Sequence, residues 1–319
     1  MKILVVGAGS IGRRHIGNLN KMGYKDIDVV EPERERRNFI RRAFKVGHLY
    51  ENLEVALENT YDAAFILTPP VFHIPIALKF ARKGMHFFIE KPLSHSMKNV
   101  KRLIRIVRKK RLTVMVGYNQ RFNPGLLEIK RYLPRLGKIH YIRAEFGYYL
   151  PYWRPWQDYT ESYTSRKSLG GGILLDASHE VDYVLWLVRK KERRLKAVVK
   201  RTGGLKIDVE DLAELLMEFE GGITASIHVN MMERNYNRKL KIIGGKGQLE
   251  YDFFKQEFIY CGNNNKTVKK SFKKSDSNQM YIDEIKHFLG CVRRRKTPSV
   301  TIRDGKKVLE LVLKAKGSK

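Results

Sequence analysis

Gly7, Gly9 and Gly12 stand in a G-x-G-x-x-G spacing directly after the apolar run Lys2 to Val6. At a strand-to-helix junction each glycine has a physical task. Gly7 permits the tight turn, Gly9 lets the backbone approach a pyrophosphate, and Gly12 lets the helix pack closely on the strand. Ser10 and Ile11 open that helix, whose free N–H groups can face the anion. Glu31 ends the second apolar run, about 20 residues further on, where an acidic side chain accepts hydrogen bonds from ribose hydroxyls. Together these residues predict a dinucleotide site. The Glu31 carboxylate repels a 2'-phosphate and so favours NAD, while Arg34, Arg36 and Arg37 keep NADP as the alternative.

Two further positions could move a proton. Lys91 follows the apolar run His86 to Glu90, and ligands of open parallel sheets bind at the carboxyl ends of strands. His179 follows Asp176 by one helical turn, so the pair is expected to share a helix face, where a carboxylate can fix an imidazole's tautomer. Glu180 and Asp182 are alternative partners. Ahead of them, Tyr148 to Trp156 concentrates aromatic rings around Arg154, a composition that can stack on sugar faces or hold an anion together with Arg166 and Lys167. Gly170 to Gly172 admit either close backbone approach to a ligand or a flexible link.

The elements that must position these residues change character along the chain. Up to residue 121 short apolar runs alternate with amphipathic stretches. Expected strands are Lys2–Val6, Asp28–Glu31, Ala63–Thr68, His86–Glu90 and Thr113–Gly117; expected helices are Ile11–Met22, Glu33–Phe44, Phe72–Lys83 and Met97–Lys110. This is the pattern of a parallel sheet covered by helices. From Lys138 onward come longer alternating strands such as Ile139–Phe146, Leu212–Phe219, Ile223–Val229 and Leu240–Ile243, an antiparallel signature. A strongly apolar helix is expected over Leu174–Val188, with two more near Tyr281–Arg293 and Gly305–Ala315.

Composition bounds the function. The chain has 319 residues, 43% of them hydrophobic, which suits two folded domains. It carries no apolar run long enough for a membrane span or a signal-peptide core, so a cytoplasmic location is expected. Two cysteines, Cys261 and Cys291, give neither a disulfide framework nor a zinc site, and no metal is expected. The net charge of +30 brings polyanions into consideration. Its clusters, Arg34–Arg42, Lys98–Arg111, Arg189–Lys196 and Arg293–Lys296, are scattered over expected helix faces and ends, with no nucleic-acid reading motif. A solvated basic surface with only non-specific, salt-sensitive nucleic-acid contact is the expectation.

Glu90-Lys91-Pro92 resembles a motif of the Gfo/Idh/MocA oxidoreductases, a family that includes glucose-fructose oxidoreductase and inositol dehydrogenase. The resemblance extends through the glycine loop, Thr68-Pro69-Pro70 with His73, Gly117 to Phe122, and Gly170 to Asp176 leading to His179. It implies an α/β N-terminal Rossmann domain over 1–121 and an α+β substrate and oligomerisation domain over 122–302 with a large open-faced, mostly antiparallel sheet. A C-terminal helix over 303–319 is expected to pack back on the first domain.

The implied activity is NAD(P)-dependent hydride transfer at a secondary alcohol or ketone of a sugar, sugar acid or nucleotide sugar. The alternative is a non-catalytic sensor or transcriptional co-repressor of the same fold. Thr68, Pro69, His73, Glu90, Lys91 and Asn119 join Gly7 to Gly12 and Glu31 as expected cofactor contacts. Lys91, His179 and Asp176 are the expected catalytic groups. Arg121, Trp153, Arg154, Tyr163, Asp176 and His179 are the expected substrate contacts. The family pattern sets acid and histidine four positions apart rather than three, which leaves open whether Asp176 orients His179 or contacts substrate. The partners expected are a sugar-type substrate, an anionic one among the candidates, and further copies of this chain through the open sheet.

Overall fold

The computed structural model describes residues 1–263, 266–272 and 278–317. In chain order the elements are β1 (Ile3–Val6), α1 (Ser10–Lys21), β2 (Ile27–Val30), α2 (Arg34–Ala43), β3 (Leu49–Tyr50), α3 (Leu53–Ala56), β4 (Ala63–Ile66), α4 (Pro70–Lys83), β5 (His86–Glu90), α5 (Val100–Lys109) and β6 (Val114–Gly117). There follow α6 (Pro124–Tyr132), β7 (Ile139–Gly147), α7 (Ile173–Asp176), α8 (Ser178–Val188), β8 (Glu192–Lys200), β9 (Leu212–Phe219), β10 (Ile223–Asn230), β11 (Asn237–Gly244), β12 (Gly247–Asp252), β13 (Glu257–Gly262), β14 (Thr267–Ser271), α9 (Gln279–Arg294) and α10 (Ile302–Gly317).

The first compact unit comprises residues 1–119 and 278–306. Its six strands run in the order β3-β2-β1-β4-β5-β6, all parallel. Strands β1, β2, β4 and β6 are buried at every position, which is why β1, β4 and β6 read as unbroken apolar runs and β2 is broken only by the buried Asp28. The order places the chain that follows β2, β1, β4, β5 and β6 side by side along one edge of the sheet, its carboxyl edge.

Helix α9, expected in the second domain, groups with this unit instead. Its apolar stripe explains the placement: Phe288 meets Phe65 edge-on at 5.4 Å and lies 5.9 Å from Phe88. Helix α5 starts at Val100 rather than at Met97, after Asn99 in the left-handed region at φ 61°. Strand β3 and helix α3, two and four residues long, are too short to give a periodic signal.

The second unit comprises residues 120–277 and 307–319. Its eight described strands run β14-β13-β12-β11-β7-β10-β9-β8, antiparallel at every pairing except β7 with β10. Alternation of burial along β9, and along β10 up to Val229, gives the sheet one packed face and one open face. The basic run expected at a helix end becomes β8, an edge strand with Arg193, Arg194, Lys196 and Lys200 exposed, a charge pattern that discourages pairing with another edge. From Lys307 onward the chain groups with this unit, not with the first domain as expected. Lys314 pairs with Glu192 at 3.0 Å and Lys316 with Glu210 at 2.9 Å.

Among the described residues no helix is long and apolar enough to cross a membrane. The basic residues of the α5 cluster, Lys101, Arg102, Arg105, Arg108 and Lys109, are all exposed.

Candidate functional site

In the first unit, residues expected at the cofactor site follow five neighbouring strands along the carboxyl edge. Glu31 follows β2, Gly7 follows β1, Thr68 follows β4, Lys91 follows β5 and Asn119 follows β6. Gly7 has φ +99°, and a Cβ there would lie 2.7 Å from the Leu67 carbonyl oxygen. A Cβ on Gly12 would lie 2.1 Å from the Gly7 carbonyl oxygen, so the first helical turn closes on the strand only with glycine. Gly9 is different: a Cβ there would meet only the tip of Arg36, at 3.9 Å. The protein itself leaves the space beside Gly9 open, and α1 carries no side-chain cap and no acidic residue in its first turn, a setting that suits an anion.

Glu31 is 4% exposed; its Oε2 accepts from the Ala8 N–H at 2.7 Å and its Oε1 from the Glu33 N–H at 3.1 Å. The glycine loop and the acid behind it thus form one unit. Arg37 donates to the Glu31 carbonyl oxygen at 2.7 Å and pairs with Glu51 at 3.1 Å, while Arg36 pairs with Glu33 at 2.7 Å. Arg36 and Arg37, two of the three nearby arginines, already have partners.

Thr68 Oγ1 and Asn119 Oδ1 are buried without a hydrogen-bond partner among the described residues, which fits residues that complete their bonding to a bound group. His73 is fully buried, its Nδ1 2.8 Å from the Pro92 carbonyl oxygen and its Nε2 2.8 Å from that of Thr68. Burial lowers its pKa to about 4, so the ring is neutral and its one N–H donates to either the Pro92 or the Thr68 carbonyl oxygen, with the ring packed between the loops after β4 and β5. Any part it has in binding passes through those loops. Lys91 is half-buried beyond Glu90, which is 8% exposed. NAD, expected from the glycine loop and Glu31, fits these residues.

In the second unit the expected single helix over 174–188 breaks at Ala177, between α7 and α8. Asp176 is the last residue of α7 and His179 the second of α8, so they do not share the face of one continuous helix. Asp176 Oδ1 accepts from Tyr163 Oη at 3.1 Å and Oδ2 from Thr164 Oγ1 at 2.5 Å. The two alternative acids have cationic partners of their own. Asp182 receives both Nε (2.9 Å) and Nη2 (2.6 Å) of Arg121, a buried two-bond pair. Glu180 pairs with Arg238 Nε at 2.8 Å, both buried. Burial opposes the charge on Arg238, but Glu180 together with Tyr236 and Tyr183 raises the guanidinium pKa on balance.

Two of the three glycines before α7, Gly171 and Gly172, allow close packing. A Cβ on Gly171 would lie 2.3 Å from the Tyr163 carbonyl oxygen, and Gly172, at φ +108°, donates its N–H to the Thr164 carbonyl oxygen at 2.9 Å. They press the helix start against the segment that holds Asp176. Trp153 is half-buried, its indole N–H donating to the Tyr148 carbonyl oxygen at 3.0 Å and its ring edge-on to Phe146 at 5.6 Å. Arg154 donates to Ser162 Oγ at 2.9 Å, and Arg166 to the Thr160 carbonyl oxygen at 3.0 Å.

Thr164, Arg238 and Glu284 went unread in the sequence. Glu284 alone left a signal, as an acid on the same helical stripe as Phe288 and Leu289. Among the described residues no group of three or more potential ligands could hold a metal ion.

A model of the oxidoreductase family with an NAD-binding Rossmann fold (GFO/IDH/MocA) matches residues 1–118, and the GFO/IDH/MocA C-terminal domain matches residues 134–250. The chain is 25% identical to myo-inositol 2-dehydrogenase of Thermotoga maritima, covering 100% of this chain and 96% of that protein. It is 24% identical to the NAD(+)-dependent scyllo-inositol 2-dehydrogenase of Bacillus subtilis, over 100% and 94%. Among solved structures, levoglucosan dehydrogenase in complex with NADH and levoglucosan superposes with a TM-score of 0.88 at 20% identity, covering 99% of this chain and 96% of that one.

Proposed function

The chain belongs to the GFO/IDH/MocA family of oxidoreductases with an NAD-binding Rossmann fold, and from that premise we propose that it moves a hydride between nicotinamide and a secondary alcohol or ketone carbon of a sugar, sugar acid or nucleotide sugar. The observation that carries this reading is the alignment of Glu31, Gly7, Thr68, Lys91 and Asn119 along one sheet edge. Bound there, NAD supplies the hydride acceptor. The chain's own residues supply the rest: the glycine loop holds pyrophosphate, Glu31 the ribose, and Lys91 takes the hydroxyl proton of the alcohol or returns it to the ketone. His179 is the second group on that proton path. Asp176, fixed by Tyr163 and Thr164, shapes the substrate side with Arg121, Trp153 and Arg154.

Relatives named for inositol and levoglucosan support a polyhydroxylated ring as substrate. UDP-N-acetylglucosamine 3-dehydrogenase of Acidithiobacillus ferrooxidans, matching with a TM-score of 0.84 at 19% identity, supports including nucleotide sugars. The open face of the eight-stranded sheet, where Leu216 is 48% exposed, offers a surface for self-association. The free thiols of Cys261 and Cys291 suit a reducing compartment such as the cytoplasm. The test is a screen of myo-inositol, levoglucosan, sugar acids and UDP-sugars with NAD and NADH, read by nicotinamide absorbance. Turnover with one class confirms the reading; NADH binding without turnover across all of them would point to the sensor instead.

A further inference from the structure

No acidic residue occurs between Glu90 and Glu128, and within that stretch Lys98 to Arg111 holds eight cations. All eight are exposed, and none forms an ion pair among the described residues. Helix α5 buries Val100, Leu103 and Val107 and carries Lys101, Arg102, Arg105, Arg108 and Lys109 on its outer side. The helix dipole favours cations at the C-terminal end, which accounts for Arg108 and Lys109. It disfavours Lys101 and Arg102, which stand in a first turn without an acid. Like charges one turn apart, such as Lys101 and Arg105, also repel. The chain offers this surface no counter-charge, so an anion from outside relieves it.

The fold extends the surface. A helix that joins two parallel strands runs back against them, so α4 and α5 end at the amino edge of the six-stranded sheet, opposite the edge that carries Gly7, Glu31 and Lys91. Lys110 donates to the Arg82 carbonyl oxygen, which sets the end of α5 beside the end of α4, where Arg82 and Lys83 are exposed. Helix α9 ends at the same edge. Its Arg293 donates to Tyr24 Oη at 2.8 Å, Tyr24 lying between α1 and β2, and the exposed Arg294, Arg295 and Lys296 follow.

We propose that α5, with the adjoining end of α4, is a docking face for the phosphate backbone of duplex DNA, bound without regard to sequence. Charge complementarity carries the assignment. About 12 Å of helix axis separates Lys101 from Lys109, a length over which a duplex presents about seven phosphates. Four of the eight cations are arginines, whose forks suit phosphate oxygens. No large hydrophobic residue is exposed on α5 or at the end of α4, so the face has neither the apolar anchors of a membrane-bound helix nor rings on which single strands stack. It also has no carboxylate to accept from a ribose 2'-hydroxyl, the group that marks RNA.

The test is fluorescence anisotropy of a labelled duplex of about 20 base pairs with the full chain, from about 50 to 200 mM NaCl. The parent should bind in the micromolar range or more weakly, with affinity falling steeply as salt rises. Lys101→Gln/Arg105→Gln/Arg108→Gln should make the slope of log K against log salt shallower by about 2.7, because each phosphate contact contributes about 0.9. Lys190→Gln/Lys191→Gln/Arg193→Gln removes the same charge from an exposed basic run of the second unit and should change the slope by less than about 0.5. Equal changes in the two variants mean that net charge alone attracts DNA and overturn the α5 face, as does a parent that fails to bind at about 50 mM salt. The α5 variant should melt at or above the parent temperature, since it loses like-charge repulsion. Should it melt lower, the single variant Arg105→Gln, with an expected slope change of about 0.9, takes its place, and an unchanged slope there is equally fatal. Tighter binding of duplex RNA, or of vesicles containing phosphatidylserine, rules out DNA as the partner. Saturating NADH should leave DNA affinity unchanged, because the dinucleotide residues lie at the opposite edge; competition between the two would contradict the amino-edge placement.

Discussion

The carboxyl edge of the parallel sheet and the α7–α8 junction are built by different means. At the sheet edge the backbone does most of the work: Gly7 and Gly12 are fixed by carbonyl oxygens at 2.7 and 2.1 Å from where a Cβ would stand, and Glu31 is fastened by two backbone N–H groups. At the α7–α8 junction side chains do it, through Arg121 with Asp182, Arg238 with Glu180, and Asp176 with Tyr163 and Thr164. The first arrangement tolerates little change at Gly7 and Gly12, and its buried acid Glu31 is satisfied by backbone N–H groups rather than by a cation. The second concentrates buried charge, so its weakness is the loss of one partner.

The sharpest way to break the comparison is to remove half of a buried pair. Asp182→Ala leaves Arg121 charged and buried, and should cost about 3–5 kcal/mol in urea unfolding, as expected for an orphaned buried ion. An effect below about 1 kcal/mol would mean the pair behaves like an exposed one.

Acid separates the regions next. His73 and His15 have pKa values lowered by burial to about 4 and about 3, so the folded first unit refuses protons that the unfolded chain accepts below about pH 6.5. Stability is complete above that pH and is lost as pH falls towards 4, at about 1.4 kcal/mol for each tenfold difference in proton affinity. Hydrogen exchange should show α1 and α4 losing protection in that window before β9 and β10. Simultaneous loss in both units would contradict the contrast.

Gly9→Val probes the backbone-built site without disturbing its fold, because only the Arg36 tip lies near the new side chain. Calorimetry should show NADH affinity lowered about thirtyfold, or about 2 kcal/mol, with the melting temperature held. The smallest effect is cofactor choice. Arg36 and Arg37 are paired with Glu33 and Glu51, so Glu31 should decide, with kcat/KM about tenfold higher for NAD than for NADP. A preference for NADP would show that the arginines leave their partners.

The same contrast explains what could be read in the sequence. The placement of the glycine loop, Glu31 and Lys91 at the ends of β1, β2 and β5 was legible because each follows a buried strand at short spacing, and β5 runs over His86–Glu90 as expected. The α7–α8 junction was legible only in part. Asp176 and His179 are near in sequence, but the break at Ala177 and the hold of Thr164 on Asp176 depend on the close approach that Gly171 and Gly172 allow. Arg121 and Asp182 are 61 residues apart, a pairing that no local pattern announces. Helix α9 was visible by its period, yet which unit it joins depends on Phe65 and Phe88, far away in sequence.

The central proposal is that Lys91 and His179 act on one proton. Single-turnover hydride transfer at saturating substrate, in Lys91→Met, His179→Ala and the double variant, tests it most directly. Each single variant should lose about 100-fold or more while still binding NADH, and the double variant should fall well short of the product of the two losses. Full hydride-transfer rates in both single variants would contradict the account.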